Sequence, residues 1–385
     1  MIIGLVYPQF LPAIGGTELT MYYHGKGLIN KGCKVIIYTC KSYSLMPVRL
    51  KSFTTISGIA VKRFNFIPLP YKLAHISPSF LFYLLKHSPD VMIVYSSIPS
   101  LFNLSAILAS KLKKIPLILY PQFGPSMMEV SLIRRMYYLT FLPIMLRLAD
   151  YIVAASKREK KLYELWLKLS NVEVIYGGVK IPRSVTLVKI DRRRLSRYSI
   201  KPGDRVILTV GRVTKYKGVD FLIEALAPLL KSGRVKLLIV GPDGGFTNYC
   251  TKLAVKLSCK HNVIFTGKVD NEEMQLIYSA ADIVVVPSRF EGYGRSVIEA
   301  WSYGKPVIVT KQVPASELVS SRRGIVINYG DKEALLKAVN RLLSDDKLRE
   351  DMGRAGFSFV SKELTWDNAV NKLHNVILKV LNKRR

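Results

Sequence analysis

A basic loop stands where the chain passes from a predicted strand, Arg205–Val210, to a predicted helix. The loop reads GRVTKYKG from Gly211 to Gly218 and carries Arg212 and Lys217. Positive charge is unfavourable beside the positive end of a helix dipole, whereas a bound anion there is favourable. The two side chains are therefore candidate ligands of a phosphate, and the alternative is a solvated basic loop.

A second segment, Pro287–Glu299, follows the predicted strand Asp282–Val286 and joins two glycines to two carboxylates. Glu291 and Glu299 are eight positions apart, which is about 2.2 helical turns. With Glu291 in the loop and Glu299 on the next helix, both can face one cleft. Carboxylates accept hydrogen bonds from vicinal hydroxyls, so the pair suits a ligand with sugar rings. The alternative is two solvated side chains on a surface helix.

A third segment is the glycine-rich turn Gly15-Gly16, which follows the first predicted strand. Glycine allows close backbone approach, and free N–H groups at a helix start suit a phosphate. Thr17 is predicted to cap the helix that follows. A plain tight turn explains the same residues equally well.

Short Val- and Ile-rich runs alternate with amphipathic segments along the chain, which indicates parallel sheets covered by helices. The pattern stops over 181–204, which contains prolines and a basic run, and then restarts. The sequence therefore predicts an α/β protein of two Rossmann-like, doubly wound domains facing each other across a cleft. We assign an N-terminal domain to 1–180, a linker to 181–204, a C-terminal domain to 205–364 and a final helix to 365–385.

The composition limits the class of protein. Of 385 residues, 49% are hydrophobic, which excludes a disordered chain, and the four widely spaced cysteines do not form a disulfide framework. The most suspicious apolar stretch, Met136–Leu146, has eleven uncharged residues, is too short to span a bilayer and contains Pro143. The start MIIGLVYP reads as a strand and not as a secretory leader, so a cytoplasmic location is expected. A net charge of +31 predicts an anionic partner.

Several motifs occur in one order: Gly-Gly near the N-terminus, G-R-x(4)-K-G, G-P-x-G, the run FTGKVDNEEMQLIYSAADIVVVPS, and E-G-Y-G-x(4)-E-A. Together they resemble the retaining glycosyltransferases of family 4, which have the GT-B fold. The resemblance covers nearly the whole chain and is strongest over 206–310. It implies a hexosyltransferase that retains the anomeric configuration and uses a nucleotide-diphosphate sugar as donor substrate, with no further cofactor.

The resemblance also implies a role for each matching residue. Arg212 and Lys217 match the cations that neutralise the donor diphosphate, and Glu291 matches the carboxylate on the transferred sugar. Glu299 matches the carboxylate that holds the ribose. The remaining donor-binding positions implied by the family are the turn Gly15-Gly16, the segment Lys268-Val269 beside the base, and the backbone of Gly294, Arg295 and Ser296.

The sequence departs from the family at one position. Many members carry a histidine after a strand in the middle of the first domain, where this chain has Gln122. None of the five histidines fits that place. Glutamine binds a sugar hydroxyl but cannot titrate as a base. The chain also contains no D-x-D motif, so Arg212 and Lys217 are predicted to replace a metal ion, and no metal ligand is assigned.

The first 150 residues carry sixteen Lys and Arg against four acidic residues. Within them, the segment 131–150 mixes arginines with large apolar side chains, and a basic cluster follows at 157–161. This combination is typical of an interfacial membrane contact. We therefore expect a lipid-linked glycan acceptor and peripheral binding at the inner membrane face. A core helix with solvated arginines is the alternative.

Three other functions remain open. A nucleotide-sugar epimerase would share the fold and lack an acceptor. A phosphorylase would need a lysine for pyridoxal phosphate, and none is identifiable. A non-enzymatic nucleic-acid binder would also be basic, but the charge is spread evenly along the chain and no nucleic-acid-binding motif is present, so nucleic acid is not expected as a partner.

Overall fold

The computed structural model describes residues 1–13, 15–41, 50–68, 75–96, 100–122, 132–182 and 192–383, without the side chains of 132–134, 137, 192 and 193. Ser131 and the Arg134 side chain, 183–191 of the predicted linker, and the last two residues of the predicted final helix lie outside this part. The contacts divide the chain into two compact units, Met1–Gly178 with Trp366–Arg385, and Val179–Thr365.

Unit 1 is built on an eight-stranded sheet with a short separate hairpin. The strand order is β10-β9-β8-β7-β1-β2-β4-β3, all parallel except for β3, which runs antiparallel to β4. The strands are β1 (Ile2–Val6), β2 (Lys34–Cys40), β3 (Phe53–Ile56), β4 (Ile59–Phe64), the hairpin strands β5 (Ile67–Pro68) and β6 (His75–Ile76), β7 (Val91–Tyr95), β8 (Leu117–Tyr120), β9 (Tyr151–Ala154) and β10 (Val172–Val174).

Helices connect the parallel strands of unit 1. They are α1 (Gly16–Asn30), α2 (Pro78–Lys86), α3 (Leu101–Leu112), α4 (Leu132–Leu148) and α5 (Lys157–Leu167). Both faces of the central strands are buried, with one apolar cluster on each face. This is why those strands read as continuous apolar runs in the sequence. β3, β5 and β6 lack such runs and were not among the predicted strands.

Unit 2 has a fully parallel six-stranded sheet of order β13-β12-β11-β14-β15-β16. The strands are β11 (Arg205–Val210), β12 (Val235–Val240), β13 (Val263–Gly267), β14 (Ile283–Val286), β15 (Val307–Thr310) and β16 (Gly324–Ile327); the helices are α6 (Val219–Lys231), α7 (Thr247–Lys256), α8 (Asn271–Ala280), α9 (Arg295–Ser302), α10 (Lys332–Ser344) and α11 (Asp346–Glu363). The chain reverses its direction of winding between β11 and β14. In such sheets a crevice opens beyond the carboxyl ends of the strands at this point.

The last helix, α12 (Trp366–Asn382), belongs to unit 1 and packs on α1. The ring of Trp366 stacks on Tyr23 at 4.5 Å. Gly27 permits this close approach, because a Cβ there would lie 2.4 Å from Val370 Cγ2. The chain thus leaves unit 1 after Gly178 and returns to it at Trp366.

Three further predictions concern the cap of α1, the linker and the cysteines. The predicted cap Thr17 is wrong: Gly15, with extended backbone, is the N-cap of α1, and Thr17 lies buried inside the first turn. Part of the predicted linker packs on unit 2, where a short 3₁₀ helix, Arg192–Tyr198, brings Tyr198 and Arg197 against Glu273 of α8. All four cysteines are buried free thiols.

Candidate functional site

The basic loop is held against the loop that follows β14. Gly218 has a φ of +70°, and a Cβ on it would lie 2.1 Å from the carbonyl oxygen of Pro287. The amide of Arg289 donates to the carbonyl of Tyr216 at 2.8 Å, and the ring of Tyr216 stacks on Phe290 at 4.7 Å. Only glycine fits at position 218 without moving one loop away from the other. The two motifs predicted separately therefore form one site.

The centre of this site is an ion pair between the two motifs. Lys217 Nζ lies 2.8 Å from Glu291 Oε1, and the two side chains are 19% and 9% exposed. The hydroxyl of Ser288 donates to the same carboxylate oxygen at 2.8 Å. The carbonyl of Ser288 in turn accepts a hydrogen bond from Thr310 at the end of β15. The ammonium is thereby fixed in place, and its other N–H groups can still bind an anion.

Arg212 lies at the same edge of the unit 2 sheet, where the loop after β11 meets the loop after β12. The amide of the next residue, Val213, donates to the carbonyl of Pro242 at 3.0 Å, which joins the loops after β11 and β12. Gly241 has a φ of +147°, and a Cβ on it would lie 2.2 Å from the carbonyl oxygen of Gly211. The side chain of Arg212 is exposed. It can therefore reach a ligand above the loops without losing a buried partner.

The N-terminus of α9 forms another part of the site. Gly294 has a φ of +99°, and a Cβ on it would lie 2.3 Å from Val313 Cγ1. The amide of Ala315 donates to the carbonyl of Tyr293 at 2.8 Å, which ties the turn to the segment after β15. The helix begins at Arg295, so the amides of Arg295 and Ser296 belong to its first turn. First-turn amides have no intrahelical acceptor and favour an anion.

Glu299 is held from two sides. Its Oε2 accepts a hydrogen bond from the hydroxyl of Tyr278 at 3.1 Å, and Arg295 Nη2 lies 3.4 Å from its Oε1. Burial and the nearby carboxylate raise the pKa of Tyr278 well above its usual value near 10, so the phenol stays protonated. The carboxylate of Glu299 is 29% exposed. It can accept further hydrogen bonds on its open side.

Lys268 and Val269 follow β13 at the same edge of the sheet. Gly267 ends the strand with a φ of +70°, and Lys268 is exposed. Within the part of the chain that the structure describes, no hydrogen bond or ion pair joins this segment to the Lys217–Glu291 pair. The segment shares the carboxyl edge of the sheet with the pair, and β12 lies between β13 and β11.

In unit 1 the predicted turn and Gln122 come together. The hydroxyl of Thr17, next to Gly16, donates to Gln122 Oε1 at 2.6 Å. Gln122 follows β8 with a φ of +52°, a conformation that non-glycine residues adopt mainly where the surroundings enforce it. This contact directs the carboxamide toward the start of α1. Thr17, which was predicted as a cap, therefore contacts Gln122 with its hydroxyl and does not cap α1.

His24 is the histidine of α1, two turns after Thr17, and it is fully buried. Its Nδ1 lies 2.7 Å from the hydroxyl of Tyr95, and its ring stacks on Tyr120. Burial lowers the pKa of His24 to about 3, so the imidazole is neutral. It serves the core and does not take the place of the family's histidine.

The residues that sequence reasoning missed are Ser288, Thr310 and Tyr278. Ser288 and Tyr278 both lie inside the motifs that carry the family resemblance, at positions with hydroxyl side chains. Their role depends on which carboxylate they reach in space, and the spacing along the chain does not give that. Within the described ranges, no three His, Cys, Asp or Glu side chains cluster as a metal site would require.

Comparison with known proteins gives the fold its name. Two family models match consecutive parts of the chain: "Glycosyltransferase Family 4" matches residues 14–183, and "Glycosyl transferases group 1" matches residues 191–359. Sucrose-phosphate synthase of Thermosynechococcus elongatus superimposes with a TM-score of 0.82 at 22% identity, with 99% of each chain covered. The chain has the GT-B fold of glycosyltransferases. The predicted fold class is thereby confirmed.

The relatives that are similar in sequence match a smaller part of this GT-B chain than the superimposed structure does. An uncharacterized glycosyltransferase of Methanocaldococcus jannaschii is 31% identical over 54% of this chain and 53% of its own length. A GDP-mannose-dependent monoacylated alpha-(1-6)-phosphatidylinositol monomannoside mannosyltransferase of Corynebacterium glutamicum is 32% identical over 45% of this chain and 46% of its own. The chain thus spans about half the length of these curated relatives.

Proposed function

We propose that this chain is a retaining glycosyltransferase that moves a hexose from a nucleotide-diphosphate sugar to an acceptor hydroxyl without a metal ion. The observation that carries the proposal is the fixed Lys217 ammonium, 2.8 Å from Glu291 at the switch point of the unit 2 sheet. A cation, a carboxylate and the start of α9 meet at one edge. This set suits a diphosphate that is attached to a sugar.

The reaction breaks the bond between the anomeric carbon and the diphosphate oxygen. Negative charge builds on the departing diphosphate and positive charge on the sugar ring. Fixed cations and amides aimed at the leaving group stabilise this transition state, and such electrostatic contributions are usually the largest in catalysis. Lys217, Arg212 and the first-turn amides of α9 supply them here, in the place that a bound metal takes in other glycosyltransferases.

Retention follows if the acceptor attacks from the face that the diphosphate leaves. The acceptor oxygen forms its bond to the anomeric carbon while the carbon–phosphate oxygen bond breaks. The acceptor proton passes to an oxygen of the departing diphosphate, so no separate base is needed. Glu291 then stabilises the positive charge on the sugar ring. Gln122 of unit 1 offers its carboxamide to a sugar hydroxyl of a ligand bound by that unit.

The proposal is tested by measuring initial rates with a panel of UDP- and GDP-sugars. The quantity measured is the nucleotide diphosphate that is released. Lys217→Ala should bind the nucleotide at least tenfold more weakly and lose nearly all turnover. Lys337→Gln is the matched control, because it removes another Lys–Glu ion pair of unit 2, on the exposed face of α10. Wild-type turnover in Lys217→Ala would remove the assignment.

The same panel separates the alternatives. An epimerase interconverts two nucleotide sugars and releases no free nucleotide. A nucleic-acid-binding protein shows neither reaction and binds RNA or DNA with a steep dependence on salt. Release of UDP or GDP with formation of a new glycoside supports the transferase over both.

We also propose that unit 1 contacts an anionic membrane surface. Helix α4 buries one row of side chains in the core, including Tyr138, Leu142 and Met145. A second row is apolar and exposed, comprising Met136, Leu139, Phe141, Ile144 and Leu148 at 37–59% exposure. The helices described include none long and apolar enough to cross a bilayer.

Charge accompanies this exposed row. Arg135 and Arg147 of α4 are exposed, and Lys157, Arg158, Lys160 and Lys161 follow on the first turns of α5. Apolar side chains flanked by cations bind the interface of membranes with anionic lipids. The relative that acts on a phosphatidylinositol mannoside agrees with a lipid-linked glycan acceptor. We propose peripheral binding at the inner face of the cell membrane.

Sedimentation with phosphatidylglycerol vesicles tests the membrane proposal. Phe141→Ser with Ile144→Ser should reduce the bound fraction several-fold and leave donor turnover with a soluble acceptor intact. Val255→Ser on α7, 58% exposed in unit 2, is the matched control. Binding that is independent of salt and of both serine substitutions would contradict the proposal.

A further inference from the structure

Tyr278 of α8 reaches across to Glu299 of α9 inside unit 2. Its hydroxyl donates to Glu299 Oε2 at 3.1 Å, and the side chain is 2% exposed. The ring is held by stacking on Tyr303, with centroids 5.0 Å apart and planes at 4°. The donor is thus fixed in position before any ligand arrives.

The other carboxylate oxygen has its own partner. Arg295, one helical turn before Glu299, lies 3.4 Å from Oε1. A carboxylate offers about four lone-pair positions, so one acceptor position on each oxygen remains available. Two positions side by side match the spacing of two hydroxyls on neighbouring carbons.

We propose that Tyr278 is a positioning residue that orients Glu299 to accept both vicinal hydroxyls of a ribose and so makes the site selective for ribonucleotides. The inference rests on the proposed function, because it takes the diphosphate ligand to be a nucleotide. Tyr278 itself does not touch the ligand. Without its hydroxyl, the Glu299 carboxylate turns toward Arg295, and one of the two acceptor positions moves away.

The substitution Tyr278→Phe removes the hydroxyl and keeps the stacked ring. Tyr303→Phe is the matched control, since it alters the other member of the same stack and leaves the Tyr278–Glu299 hydrogen bond. Dissociation constants are measured by calorimetry for UDP and GDP and for their 2′-deoxy forms. The experiment includes donor KM, kcat and the melting temperature of each variant.

Wild type should prefer the ribonucleotide by about tenfold, as expected for a hydrogen bond to a charged group. Tyr278→Phe should bind the ribonucleotide about tenfold more weakly and the 2′-deoxy form nearly as wild type does, because the acceptor position that moves away is the one used by the 2′-hydroxyl and the 3′-hydroxyl keeps the other. Donor KM should rise with kcat unchanged. Tyr303→Phe should keep the ribose preference.

Three outcomes would overturn the inference. They are a wild type that binds UDP or GDP without ribose preference, a Tyr278→Phe variant that keeps the preference, and one that weakens both nucleotides equally. If Tyr278→Phe does not fold, Glu299→Asp replaces it, because the shorter carboxylate is out of reach of Tyr278. A Glu299→Asp variant that still prefers the ribonucleotide would also overturn the inference. Binding of neither nucleotide to wild type would instead overturn the proposed function.

Discussion

The ammonium of Lys217 and the carboxylate of Glu291 lie 2.8 Å apart, although 74 positions separate them in the chain. One follows β11 and the other follows β14, and these two strands are neighbours in the parallel sheet. Each side chain therefore fixes the other at the edge where the sheet opens. The pair sets the charge of the candidate site before a ligand binds.

This pairing predicts different results for its two members. Glu291→Gln removes the negative charge and leaves Lys217 free to bind the diphosphate. We expect UDP or GDP to bind as tightly as to wild type, or more tightly, while turnover falls by about a hundredfold, since the sugar ring loses an electrostatic partner in the transition state. Calorimetry and initial rates check this. Equal losses of binding and turnover would contradict it.

The contact between the two loops predicts a position-specific cost at Gly218. Alanine there adopts a positive φ and also meets the Pro287 carbonyl. We therefore expect Gly218→Ala to lose about 1–3 kcal/mol more unfolding free energy than the backbone strain alone would cost, which is the usual penalty for overpacking. Gly233 is the control, because it has a φ of +82° with open space around it. Chemical denaturation of Gly218→Ala and Gly233→Ala compares them. Equal losses would show that the loops do not need this close approach.

The burial of His24 predicts a dependence of stability on pH. Its pKa is about 3 in the folded protein and near 6.5 when exposed, so the unfolded chain takes up a proton first as the pH falls. This contribution is therefore intact above pH 6.5 and decreases by about 1.4 kcal/mol per pH unit below it. Unfolding free energies of wild type and His24→Gln from pH 7.5 to 5.0 should converge as the pH falls. Parallel curves would place the imidazole in contact with water.

The hydrogen bond from Thr17 to Gln122 predicts that Thr17 orients the carboxamide of Gln122. Thr17→Val keeps the shape of the side chain and leaves the Gln122 amide without this donor. We expect kcat to fall about tenfold with little change in melting temperature, as for loss of one hydrogen bond. Thr20→Val is the control, because the Thr20 hydroxyl donates only to the carbonyl of Gly16 within α1. A similar effect of both substitutions would assign Thr17 to helix stability.

The sequence predicted the parallel strands well, because strands buried on both faces are continuous apolar runs such as Val91–Tyr95. It missed β3 because an edge strand alternates in exposure and carries a weak signal. It identified Lys217 and Glu291 as candidates from glycine and charge spacing. It did not identify Ser288 as the partner of Glu291, since hydrogen bonds between side chains depend on rotamers and loop paths that spacing does not encode.

The amino-acid sequence by itself determined the repeated strand–helix pattern, the excess of positive charge and the set of groups available for chemistry, because these are properties of residue type and order. Only the tertiary structure decided which groups meet. It paired Lys217 with Glu291, because β11 and β14 are neighbouring parallel strands whose carboxyl ends bring distant loops together. It also paired Tyr278 of α8 with Glu299 of α9, and it paired Thr17, after β1, with Gln122, after β8, two strands of one sheet that have β7 between them. The same packing decided that His24 is a neutral core residue, since burial and not sequence position sets its charge.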